Sequence, residues 1–405
     1  MTEERDSIER PRLRPTVDLL PFEHEGRSGF LLRDALAGDR MLFVAPEALA
    51  LLVLLDGQRT IRDIQTVILQ QTGQILPSAD IEAFVRLLDE HLLLDGPRYE
   101  AWLADQAAAY AALPARPSLA QSMGLPADAG DLRRLLDAVM ERHAPHPPDT
   151  DSLPARISGL VAPHIDLERG QKTYAIAYRA LGTSPPADVY IILGVNHHFL
   201  SENPFIATDR PYQNPLGRLP VDERLLAALQ QAVGWNLLQD QVAHRSEHSI
   251  EFPALFLRYL YPDAPISIVP LLCNFMDPED RRVIAMIAAL REVLRAAAGE
   301  GRRVVVIASV DFSHIGPQFG WKRPVEKDDL LDVGRRDRET LKALAAGMPE
   351  AFWDDIMADR NARHIDALHP CYVFLRILAP CSGTLLHYEQ AWNPRNTVTF
   401  AALAF

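Results

Sequence analysis

Hydrophobic and polar positions change rhythm along the chain near residue 155. Before it, two short apolar runs, GFLLRD (29–34) and MLFV (41–44), are separated by polar residues and predict two strands joined by a turn. Helical patterns follow. The first runs from Pro46 to Leu55 and closes on the turn pair Asp56-Gly57. The second runs from Thr60 through Thr72, the Thr60 hydroxyl serving as acceptor for first-turn amides. The third is IEAFVRLLDEHLLL, with Ser78 in the same capping role. Residues 101–155 hold an Ala-rich helix, a loop, the helical DLRRLLDAVMERH, and then APHPPDTDSLP, whose Pro and Asp content marks a linker or surface loop.

Beyond residue 155 the runs ISGLVA (157–162), VYIILG (189–194), ISIVPLL (266–272) and RVVVIAS (303–309) alternate with helical stretches such as YAIAYRAL, ERLLAALQQAV and RRVIAMIAALREVLRAA. Continuous apolar strands alternating with helices predict crossover units, hence an α/β fold of three layers (αβα) around a largely parallel sheet. The closing stretch NTVTFAALAF offers one more strand. The division expected is a small α+β unit over 1–100, a helical linker over 101–155 and the α/β domain over 156–405.

Composition narrows the partners. The chain has 405 residues, 48% hydrophobic and 23% charged, and no apolar stretch of about 18 or more, so no membrane span is expected. A formal charge of -13 repels polyphosphate and argues against a nucleic-acid partner. The start, MTEERDSIERPRLRP, lacks the apolar core of a secretory signal, and Cys273, Cys371 and Cys381 form no short-spaced pair. Cytoplasmic residence is the expectation; nothing in the sequence specifies an oligomeric state.

Candidate chemistry gathers where the strands end. ISGLVA leads to Pro163-His164-Ile165-Asp166, VYIILG to Asn196-His197-His198, and VVVIAS to Asp311-Phe312-Ser313-His314; His364-Ile365-Asp366 and His369-Pro370-Cys371 come later, and EHSIEF supplies Glu247, His248 and Glu251. A single histidine at a strand end is usually structural, and Glu247 and His248 can be read as caps for a helix starting near Glu251. Three strands each closing on His, in a chain with 13 histidines, is harder to explain that way. Parallel strands point their carboxyl ends to one edge, so these groups can converge as a metal site or an acid-base site.

The segments LVAPHIDLERG, IILGVNHHF, EHSIEFPALFL, VIASVDFSHIG and IDALHPCYVFLRIL, in that order, resemble the motifs of the MEMO family, also labelled AmmeMemoRadiSam system protein B, over about residues 115–405. The family is similar in fold to LigB-type class III extradiol dioxygenases, which bind non-haem Fe(II); some of its members are linked to copper or iron and redox chemistry. The resemblance implies metal ligands at His164, His197 and Asp366. MEMO proteins commonly carry Cys at this last position, and the Asp here shifts the donor set toward the two-imidazole, one-carboxylate triad suited to Fe(II), with copper or zinc as the other candidates. It implies His314 as acid-base, with Asp311 orienting an imidazole through its second nitrogen. His198, Glu247 and His248 are expected to line the same cleft, and Asn196 to donate to a bound oxygen.

The first hundred residues, through LLVLLDGQRTIRDI and the order of their elements, resemble PqqD-like winged-helix domains, which implies a leader peptide paired along a sheet edge. Two functions follow: a dioxygenase-like oxidoreductase acting on an aromatic or peptide substrate, or a non-catalytic metal- or peptide-binding partner of a radical enzyme or peptide-maturation system. Zinc-dependent hydrolysis uses similar ligands and ranks below both.

Overall fold

The computed structural model describes residues 9–24, 26–34, 36–37, 40–146, 153–154 and 156–405. The chain start before residue 9, and residues 147–152 of the linker read over 144–154, lie outside the described residues. Two compact units emerge, one of residues 1–112 with His198–Leu200, the other of 113–197 and 201–405.

The first unit carries an antiparallel meander of β1 (Val17–His24), β2 (Arg27–Asp34) and β3 (Leu42–Val44). Strand β1 escapes the sequence pattern for two reasons. Its Leu19, Leu20 and Phe22 are exposed rather than turned to a core, and Pro21 is tolerated because β1 is an edge. A 3-10 turn at Pro46–Ala48 leads into α1 (Leu49–Leu52), shorter than expected. Helix α2 (Ile61–Thr72) starts as predicted, the Thr60 hydroxyl accepting from the Asp63 amide in a capping box, and ends at Gly73 with φ +71°.

Helix α3 (Ser78–Glu90) corrects the predicted cap. Pro77 holds the cap position, Ser78 is already helical, and its hydroxyl donates to Gln65 Oε1 at 3.2 Å. It stops at Glu90 because Leu92 takes a left-handed φ of +60°, which turns Leu93 and Leu94 into the core beside Leu32, Ile64, Ile81 and Val85. Helix α4 (Pro97–Ala111) completes the unit.

In the second unit, α5 (Ala129–His143), capped by Asp128, precedes an eight-stranded sheet. At its centre β4 (Gly159–Ala162), β10 (Val304–Ser309), β5 (Val189–Val195) and β9 (Ser267–Cys273) run parallel in that order. The edges are antiparallel: β6 (Phe205–Ala207) pairs β9, β13 (Thr397–Ala404) pairs β4, and β11 (His314–Ile315) and β12 (Thr384–Ala391) pair β13. The sheet is therefore mixed, with a parallel core, and the chain's final apolar run is a strand as expected. A two-stranded ribbon, β7 (Tyr212–Asn214) and β8 (Gly217–Leu219), stands apart.

The helices are α6 (Leu167–Leu181), α7 (Glu223–Val233), α8 (Glu251–Leu260), α9 (Arg281–Gly299), α10 (Lys327–Ala345), α11 (Pro349–Met357) and α12 (Leu368–Leu378). Residues Val189 to Gly194 of β5 are all buried, which accounts for a continuous apolar run in place of alternation. Val189, Ile191 and Leu193 join Val269, Val306 and Leu403 in one core. Among the described residues no helix is long and apolar enough to cross a membrane.

Candidate metal centre

Because β4, β5 and β10 are parallel, the residues that follow them emerge on one edge: His164 after β4, His197 after β5, and Asp311 and His314 after β10. Asp366 joins them from the loop before α12, held there because its Oδ1 accepts the Asp311 amide at 2.8 Å and the Ala367 amide donates to the Asp311 carbonyl at 3.1 Å.

The other oxygen of Asp366 is the hub. Oδ2 lies 3.2 Å from Nε2 of His164, 3.8 Å from Nε2 of His197 and 3.8 Å from Nε2 of His314. In each imidazole Nδ1 is engaged elsewhere. That of His164 faces the Ser309 carbonyl at 2.9 Å, that of His197 faces Glu247 Oε1 at 3.0 Å, and that of His314 faces the Phe312 and His364 carbonyls, both at 3.0 Å. Carbonyl and carboxylate partners require Nδ1 to carry the proton, so every Nε2 turns a lone pair or a second proton toward Asp366.

The donor atoms of His164, His197 and His248 lie within 4.8 Å of one another, as do those of His164, Asp311 and Asp366. Donors bound to one ion at about 2.0–2.2 Å stand roughly 3.0–3.6 Å apart. The 3.2 Å pair fits that spacing and the 3.8 Å pairs are slightly wide. Oδ2 of Asp366 is buried and lacks a well-aligned donor, its near neighbours being imidazole Nε2 atoms, so either a proton on one of them or a cation must complement it. The set therefore fits a metal ion held by His164, His197 and Asp366.

Electrostatics agree. Burial alone lowers the imidazole pKa values, yet Asp366 and Asp311 raise His164 to about 9, and Glu247 and Asp366 raise His197 to about 10. Burial pushes Asp311 up and opposes ionisation of Asp366, but the surrounding imidazoles hold Asp366 below the carboxylate range. Buried carboxylates thus create a negative site that either protons or a cation must fill.

Several expectations change. Asp311 does not orient an imidazole through its second nitrogen; Ser309 and Glu247 do that, while Asp311 accepts the His164 amide at 3.2 Å and faces its Nε2 at 3.8 Å. Glu247 does not line a cleft. At 2% exposure it lies beneath His197, accepting its amide at 2.9 Å and its Nδ1–H, and the Ser249 amide at 2.9 Å. Its pKa falls well below normal, burial being overcome by His197. His248, whose ring stacks on that of His197 at 4.9 Å, is the more open neighbour. One N–H of the Asn196 side-chain amide donates to Asn274 Oδ1. His198 falls in the segment that belongs to the first unit.

Some supporting residues carry no sequence signal. Arg116, fully buried, donates to the carbonyls of His244 (2.9 Å) and Glu247 (2.7 Å) and pairs with Glu251, fixing the segment that presents Glu247 and His248. That segment meets β5 at Gly194, where a Cβ would come within 2.6 Å of the Ser249 hydroxyl. Asp337, also fully buried, accepts from Ser313 (2.6 Å), Thr399 (2.6 Å) and Tyr388 (2.8 Å) and pairs with Arg363. The Arg363 carbonyl in turn accepts the His314 amide at 2.7 Å, and His364 holds a left-handed φ of +52°.

Fold and site together define an α/β protein with a histidine–carboxylate centre at the carboxyl edge of its parallel strands. Residues 116–401 match the family of Memo-like proteins. A MEMO1 family protein of Aquifex aeolicus is 29% identical over 94% of this chain and 95% of its own length. Relatives of the same description in Thermus thermophilus and Methanopyrus kandleri are 30% and 32% identical, over 82% and 69% of this chain and 94% and 95% of their own. The chain belongs to the MEMO1 family. The Aquifex alignment is too long to omit the first unit, so that protein shares sequence there as well.

Proposed function

We propose that the protein is a metal-dependent oxidoreductase of the dioxygenase-like kind, with Fe(II) held by His164, His197 and Asp366. The observation that carries the reading is the buried Oδ2 of Asp366 facing three imidazole Nε2 atoms. Held by these three side chains, ferrous iron would supply the chemistry that brings dioxygen and substrate to reaction. His164 and His197 would each present an Nε2 lone pair to the ion once the Nε2 proton leaves, their Nδ1 protons fixed by Ser309 and Glu247. His314, its side chain 17% exposed, is placed to take a proton from a phenolic or similar acidic substrate group and return it. The substrate is an aromatic or peptide group, and the first unit is read as the capture site for an extended leader-type peptide at its exposed sheet edge.

One observation favours a second reading. His164, His197 and His248 also form a three-donor group, and three imidazoles suit zinc or copper. The protein would then be a metal-carrying partner of another enzyme or a hydrolase. Metal analysis of anaerobically purified protein separates the two. Stoichiometric iron lost in Asp366→Ala and kept in His248→Ala supports the oxidoreductase; zinc or copper lost in His248→Ala and kept in Asp366→Ala supports the alternative. Oxygen uptake with a catechol, abolished in His314→Gln while iron stays bound, tests turnover.

A further inference from the structure

The loop before α9, with α9, α11 and α12, lines an open groove of about 770 Å³ that includes none of His164, His197, His314 or Asp366. Its lining includes the carboxylates of Asp277, Glu279, Glu350 and Asp354 and the rings of Trp353 and Tyr372. Arg376 is the one cation among the lining residues, leaving a formal excess of three negative charges. The guanidinium of Arg376 already shows what the place holds: it donates to Glu350 at 2.7 Å and lies 5.7 Å from the Tyr372 ring centroid. Glu350 is thereby engaged. Asp277, Glu279 and Asp354 make no ion pair among the described residues and are exposed.

The walls are aromatic as well as acidic. The Trp353 ring packs edge-on against Tyr372 at 5.3 Å and His369 at 5.5 Å, and His369 against Phe275 at 5.0 Å. Phe275 is 84% exposed and Ile284, on the lining, 54%. Carboxylates beside aromatic faces select a cation on an apolar stem, since the rings attract the charge and cover the methylenes. A volume well beyond one side chain and an apolar rim select a ligand with more to bury than the charged group alone.

We propose that this groove is a recognition site for an arginine or lysine side chain of a partner polypeptide, built from residues other than the metal-centre side chains. The cationic head sits among Asp277, Glu279 and Asp354, its stem lies against Trp353, and the flanking residues of the partner cover Phe275 and Ile284. The site requires no metal and no turnover.

The test is calorimetric titration of the full chain, at low and moderate salt, with the blocked tripeptide acetyl-Leu-Arg-Leu-amide, its citrulline counterpart and free argininamide. Saturable binding of the arginine tripeptide, weakened by salt and at least several-fold by citrulline, is expected. Trp353→Leu is expected to weaken it roughly two- to thirtyfold, the range of one cation–π contact. Asp354→Asn, at an exposed position that leaves the fold intact, is expected to weaken it severalfold with metal content unchanged. Equal binding of the citrulline peptide, or full affinity in Asp354→Asn and in a Glu279→Gln/Asp354→Asn double variant, overturns the proposal. Argininamide binding as tightly as the tripeptide overturns the polypeptide as its ligand.

Discussion

Oδ2 of Asp366 and Nε2 of His164 face each other at 3.2 Å across a buried gap, while the Nδ1 side of that imidazole is spent on Ser309. Two lone pairs at this distance repel unless something positive lies between them. In the metal-free protein that is a proton, since His164 and His197 are raised to about 9 and about 10 and both are charged at neutral pH. A divalent cation must displace these protons. Calorimetry at pH 7.5 in buffers of different ionisation enthalpy should therefore report release of about two protons per metal bound. Because the raised pKa values keep protons in competition up to that range, affinity should climb as pH rises toward 9. Release of none would mean the imidazoles are not ligands.

Glu247 acts through His197 rather than on a bound molecule, being buried and bonded to its amide and its Nδ1. Glu247→Gln keeps the shape and one acceptor but removes the charge that fixes the ring. Metal affinity is expected to fall about 10- to 100-fold while His164 and Asp366 stay in place. Competition against a chromogenic chelator measures this, and an unchanged constant would leave Glu247 a structural cap only.

His164, His197 and His314 are legible in the sequence because each follows an apolar run that fits only an interior strand, and parallel strands share an edge. Asp366 is not legible on those grounds, since it sits in a loop before α12 with no strand ahead of it; only the resemblance of IDALHP identifies it. The antiparallel edges and the separate ribbon escape because β6, β7 and β8 are three residues each, β11 is two, and β12 is nowhere fully buried. Arg116 escapes for another reason: its partners stand 128, 131 and 135 positions away, and no local pattern encodes such a distance.

That buried Arg116–Glu251 pair carries a stability prediction. With 0% and 1% of the side chains exposed, removing the guanidinium leaves the buried Glu251 charge uncompensated, though its Oε1 still accepts from Ser118 and the Leu119 amide, and takes a donor from the carbonyls of His244 and Glu247. Arg116→Leu is expected to cost about 3–5 kcal/mol in urea unfolding. It should also weaken metal binding, because the Glu247 segment loses its anchor. A loss under about 1 kcal/mol would show that the segment holds itself.

His244 gives the stability curve an acid limb. Its Nε2 donates to the Ile206 carbonyl at 3.0 Å and its Nδ1 accepts from the Tyr212 hydroxyl at 2.7 Å, with no exposure to solvent. Burial first, and Arg116 beside it, push its pKa down to about 3. The unfolded chain takes up the proton near 6.5 and the folded one does not, so the contribution is complete above that pH and lost between about 6.5 and 3 as pH falls. The slope in that window is up to about 1.4 kcal/mol per pH unit. Urea titrations at pH 7.5 and 5.0 should show a drop in stability that His244→Gln reduces by up to about 2 kcal/mol.

The last prediction concerns the first unit. Strand β1 pairs β2 along its whole length, from Val17 opposite Asp34 to His24 opposite Arg27, and its other side is an edge. It carries Leu19, Leu20 and Phe22 at 37%, 37% and 43% exposure, and on the opposite edge β3 carries Phe43 at 39%. Exposed apolar edges invite an added strand, whose backbone supplies the hydrogen bonds and whose alternate side chains supply the choice. Fluorescence titration of the full chain with labelled leader-type peptides should give saturable binding. Lysine at Leu20 or at Phe43 should weaken it about tenfold or more on whichever edge is used, with metal content untouched. Binding unaffected by both substitutions would remove the sheet edges from consideration and leave the helical face of the unit as the place to look.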